Sequence, residues 1–117
     1  MNDQEIREHF APALERLEGD IDLLREMAAM TAPDCTTVVK QIRKSVSDGH
    51  ADNAAKALHK LKGMLSTFDS DGVVLEIQKM LDKTRLGKLA EVGSAFYQQE
   101  REINAAIARV RGLSEPA

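Results

Sequence analysis

The sequence predicts an all-α protein, an antiparallel up-down four-helix bundle with an additional short N-terminal helix. Three observations carry that expectation. Apolar residues recur at helical spacing in four long stretches, with little of the alternation that strands need. Aromatic residues make up only 3% of the chain, while the good helix formers Ala, Leu, Met, Glu, Lys and Arg dominate. Short turn-like segments join the stretches, which favours antiparallel neighbours. A chain of 117 residues is long enough for one buried core. We therefore expect a single bundle domain over residues 1–112, followed by a flexible tail over 113–117.

Taken in order, residues 3–17 place Ile6, Phe10, Ala13, Leu14 and Leu17 at mostly helical spacing. Pro12 makes this either two short pieces or one bent helix. Gly19-Asp20 reads as a stop followed by an N-cap. From Ile21 to about Val46 the apolar phase runs through Leu24, Met27, Ala28, Cys35, Val38, Val39 and Ile42. Pro33 makes Ala32 a candidate boundary, yet the phase continues across it, predicting one long kinked helix. Ser47 to His50 reads as a turn. A third helix, Ala51 to about Phe68 with Asp52 or Asp48 as cap, carries the stripe Ala54, Leu58, Leu61, Leu65 and Phe68. After a break at Asp69 to Gly72, a fourth helix carries Val73, Val74, Ile77, Met80, Leu81 and Leu86, and Gly87 closes it. A last helix from Lys88 to about Val110 carries Leu89, Val92, Phe96, Ile103, Ile107 and Val110, and Gly112 onward is expected to fray.

Composition narrows the function classes. A formal charge of −3 offers no basic footprint for nucleic acid or an anionic membrane. No apolar run approaches the ~20 residues of a membrane span, and Met1 to Glu5 lacks the layout of a signal peptide. Cys35 is alone, so no disulfide can close within the chain. A cytoplasmic monomer is the expectation.

The third helix also holds the chemistry. His59 sits one residue off the apolar stripe, on its flank, and Lys62 and Gly63 follow at i+3 and i+4 on the same face. Imidazole is substantially unprotonated near neutral pH and can accept a phosphoryl group on a ring nitrogen. Such transfer needs positive charge near the phosphoryl oxygens and room for an in-line approach. Lys62 offers the charge and Gly63 the room, although a glycine inside a helix costs about 0.5–1 kcal/mol relative to Ala. Taken alone, His-x-x-Lys is a short motif whose ordinary reading is a solvated helix face. The local charge is suggestive: Lys56, Lys60 and Lys62 lie between Ala54 and Phe68 with no acid among them.

Leu58-His-Lys-Leu-Lys-Gly63 resembles the signature of histidine-containing phosphotransfer domains. Leu17 to Glu26 resembles that family's entry into its long second helix. The turn Asp48-Gly-His50, Leu81-Asp82 and Arg85-Leu-Gly87 also fall where the family has comparable elements, so the likeness covers roughly residues 5 to 110. It implies His59 as phosphoacceptor, Lys62 as the group screening the phosphoryl charge, and Gly63 as the opening for a partner. Asp82 takes the position where many members carry a Gln or Glu that orients the imidazole. A docking face around the helix of His59 would include Lys56, Lys60, Met64 and Ser66. Implied partners are response-regulator receiver domains and a hybrid sensor histidine kinase. Mg²⁺ is expected on the receiver, with no cofactor and no ATP site on this chain. The sequence departs from the pattern at Met64, where a small residue is usual, at Asp69, where glycine is common, and in the longer turn from Asp69 to Gly72. These departures motivate an alternative, a helical adaptor that binds a receiver or kinase without carrying phosphate.

Other candidates carry less. His9 has Glu5 at i−4 but no second pair for a di-metal site, and reads as surface. His50 reads as a turn residue. Met27, Met30, Met64 and Met80 are expected at or near the core; Met27, Met30 and Met64 would form an adaptable docking patch if exposed near His59. No Gly-rich nucleotide loop and no conspicuous Ser/His/Asp arrangement is present.

Overall fold

The computed structural model describes residues 1–69 and 72–115, and among these the regular structure is helical throughout. Six helices follow one another: α1 (Asp3–His9), α2 (Ala11–Arg16), α3 (Ile21–Ser47), α4 (Ala51–Leu65), α5 (Val73–Arg85) and α6 (Leu89–Ser114). The four longer ones pack in a ring, with α3 against α4, α4 against α5, α5 against α6 and α6 back against α3. The short helices α1 and α2 pack on each other, and α2 on α3. The molecule measures 43 × 20 × 20 Å. At 1.5 Å per residue, the 27 residues of α3 reach about 40 Å, so this helix runs nearly the full length.

The two prolines behave differently for a local reason. Pro12 lies in the first turn of α2, where no intrahelical N–H is required, and Phe10 leaves helical geometry at φ −123°, ψ 32°. The N-terminal segment is thus two short helices. Pro33 lies inside α3, which continues through it. Ala29 and Pro33 are both exposed, so the carbonyl deprived of its donor lies on the wet side. Asp20 caps α3 as expected, accepting the Leu23 N–H at 2.9 Å. Gly49 and Gly87 adopt φ of +74° and +77° just beyond α3 and α5. There His50 N–H bonds Ser45 C=O at 2.9 Å and Lys88 N–H bonds Lys83 C=O at 3.0 Å, closing both helices.

The ring encloses Leu24, Ile42, Leu58, Leu61, Ile77, Leu81 and Ile103, all essentially inaccessible. Several expectations need correction. Neither Asp52 nor Asp48 caps α4; His50 is the capping residue and makes no side-chain cap bond. Helix α4 ends at Leu65, and Phe68, though buried, belongs to the following turn. Asp69 ends that turn and accepts the Val73 N–H at 3.1 Å, starting α5, while the rest of the expected Asp69–Gly72 break includes residues 70–71, outside the described residues. Leu86 is 71% exposed and Met30 69% exposed, so neither is a core residue, whereas Met80 is buried. The frayed tail does not begin at Gly112: α6 extends to Ser114 and Leu113 is fully buried, while residues 116–117 lie outside the described residues.

Arginines fasten the pole where the chain starts. Arg25 on α3 donates to the carbonyls of Met1 and Leu113, each at 3.0 Å, and to the Asp3 carboxylate at 3.0 Å. Arg16 on α2 donates to the carbonyls of Thr67 at 2.8 Å and Asp69 at 3.3 Å, holding the end of the α4–α5 turn. Among the described residues no helix is long and apolar enough to cross a membrane.

Candidate functional site

Helix α4 is buried along Ala54, Ala57, Leu58, Leu61 and Leu65. At 100° per residue, His59 lies roughly 145° from the centre of that stripe. It therefore stands on the solvent face, and not at the core edge where spacing had placed it. Leu58 accounts for the difference, because it lies on the His59 side of the stripe, whose centre falls about 45° beyond it. The imidazole is exposed and has no hydrogen-bond or ion-pair partner among the described residues.

Lys62 follows one turn later, half-buried, and Gly63 lies exposed beside it. A Cβ placed on Gly63 would meet nothing within 4 Å. The fold itself thus has no steric need for glycine here, unlike Gly93, where a Cβ would meet Val46 at 3.2 Å. Lys56, Lys60 and Lys62 form no ion pair among the described residues, so α4 presents uncompensated positive charge around His59.

The other expected residues divide. Lys56, Lys60 and Ser66 are exposed, and Ser66 Oγ donates to the Lys62 carbonyl at 2.6 Å. Met64 is half-buried against the core, about 140° round the helix from His59, so the two do not share a face. Met27 packs against the core as well. Asp82 is exposed on α5 and makes no hydrogen bond to His59; its Oδ1 accepts from Gln78 Nε2 at 2.7 Å. Asp82 also borders a groove toward α6, with Lys83 and Gln98.

Gln78 is the residue that sequence reasoning missed. Helical spacing puts it on the flank of α5 away from the α6 groove, toward α4, where it is half-buried. Its Oε1 accepts nothing among the described residues. Counting from the turn favoured Asp82. An i, i+4 search along α5 for an amide on the α4 side would have found Gln78.

His50 caps α4 by position, and His9 is exposed. No group of three or more metal-ligating side chains occurs among the described residues. Cys35 is buried and free; burial, aided by the neighbouring Asp34, pushes its thiol up to about 11. Compared with family models, curated proteins and solved structures, the chain finds a match in none of the three.

Proposed function

We propose that this protein is a histidine phosphotransfer protein of a two-component phosphorelay, built as an antiparallel up-down four-helix bundle with short helices in front. The observation that carries the reading is the unengaged, exposed imidazole of His59, with Lys62 one turn on and open space at Gly63. A phosphorylated receiver domain would dock on the outer face of α4. The neutral imidazole nitrogen attacks phosphorus of the receiver's aspartyl phosphate in line; the N–P bond forms, the P–O bond breaks and the aspartate leaves as carboxylate. The same step in reverse passes the group to a second receiver or drains it from one. Lys62 stabilises the charge on the equatorial oxygens. Mg²⁺ belongs to the receiver, and ATP chemistry to a hybrid sensor histidine kinase upstream. Gln78 Oε1, once turned toward His59, holds the ring's second nitrogen, a role that its bond to Asp82 would adjust. A cytoplasmic monomer suits this work.

Incubation with a phosphorylated receiver should label the protein with an acid-labile, alkali-stable phosphate. Persistence of the label in His59→Gln overturns the assignment. The departures at Met64 and Asp69 favour, as a second reading, an adaptor that binds a receiver without carrying phosphate. Undiminished partner signalling in His59→Ala would select that one.

A further inference from the structure

A second basic feature lies beside the His59 face but does not include it. Between the end of α3 and α4 as far as Lys60 runs a groove of about 390 Å³, within the range of small-ligand sites. Lys44 enters from α3, and Lys56 and Lys60 from α4. The single carboxylate in its lining, Asp48, is already engaged by Lys44 at 3.1 Å. Lys56 and Lys60 have no ion-pair partner among the described residues. The groove thus carries a net positive charge inside a protein that is acidic overall. Donors crowd it as well: the ammonium groups, the Asn53 amide and His50. No Phe, Tyr or Trp lines it, and Ala57 is its one apolar side chain, so the site offers nothing to stack a base or bury a hydrocarbon.

We propose that this groove binds a compact, multiply charged oxyanion of the diphosphate class, held between the ammonium groups of Lys56 and Lys60 and steadied by Lys44. The site leaves out His59 and Lys62 but shares Lys56 and Lys60 with the proposed docking face. Lys60 is the residue next to His59, but about 100° round the helix from it, so a bound anion would add negative charge near the transfer site without occupying it.

The test is a titration of the protein with inorganic pyrophosphate at about 150 mM KCl, where the screening length is only about 8 Å, followed by backbone amide shifts. The expected result is a saturable response confined to residues from the end of α3 through Lys60. It should weaken at least tenfold in Lys56→Gln/Lys60→Gln, and persist within about twofold in Lys79→Gln/Lys83→Gln, which removes two lysines from the α5–α6 groove. Circular dichroism of each variant confirms the helical fold. His59→Gln separates the two proposals, since it removes the phosphoacceptor and leaves the groove. A response that rises linearly, follows ionic strength alone, or survives loss of Lys56 and Lys60 overturns the site.

Discussion

Replacing Gly63 by alanine separates what the fold needs from what the function needs. Gly63 sits inside α4, and a Cβ there meets no atom within 4 Å. Alanine therefore gains its helix propensity, about 0.5–1 kcal/mol, with no steric offset. Unfolding entropy of ~2.1 cal/mol/K per residue over 117 residues comes to ~250 cal/mol/K. A gain near 1 kcal/mol then raises Tm by about 4 °C. In the proposed function the same methyl stands where a receiver must approach His59, so transfer from the receiver should slow by roughly tenfold or more, a barrier rise of ~1.4 kcal/mol. Labelling by a small phosphoramidate donor should stay near the wild-type rate, because little space is needed. The assays are a thermal melt and rapid-quench transfer with both donors. A lower Tm would show that the glycine serves the fold. Wild-type transfer from the receiver would refute the access role.

Lys62→Ala should slow receiver-dependent transfer by roughly 10- to 100-fold while costing under ~0.5 kcal/mol of stability, as a half-exposed residue without an ion pair should; quench-flow and urea melts measure both. Leu113→Ala should cost ~2–5 kcal/mol in urea melts, because the side chain is fully buried near the end of α6. The Cys35 thiol, raised from its ordinary 9.0 to about 11, keeps its proton in the folded state where the unfolded chain has lost it. Stability should therefore fall as pH rises from about 9 to 11, and Cys35→Ala should flatten that slope in denaturation curves recorded across the window.

Much of the helical framework was legible because strong punctuation coincides with apolar phase. Asp20 as cap, Gly87 as stop and the unbroken phase across Pro33 each reported a local physical requirement that the tertiary structure respects. Where the reading failed, the deciding contact was non-local. Leu113 looked like tail because Gly112 precedes it, yet its burial comes from packing that no window of sequence contains. Met30 was expected near the core only for its side-chain type; helical spacing puts it on the face of α3 opposite the buried stripe, and it is exposed. For the site, His59, Lys62 and Gly63 were readable as a spacing on one helix. Whether a side chain of α5 reaches the imidazole was not readable, because it depends on how α5 is rotated against α4; Asp82 instead accepts from Gln78 on its own helix.

The Arg25 clasp has a topological meaning. By gripping the carbonyls of Met1 and Leu113 at once, with the Met1 amine 3.5 Å from the Gly112 carbonyl, it brings the two ends of the described fold to one pole. The path of the backbone is then almost a closed circuit. A short linker could join residue 115 to residue 1, and new ends could be opened at the exposed Asp48–Gly49 turn without parting any two helices that now touch. The order in which α3 to α6 are threaded is, on this account, less important to the fold than the ring they complete.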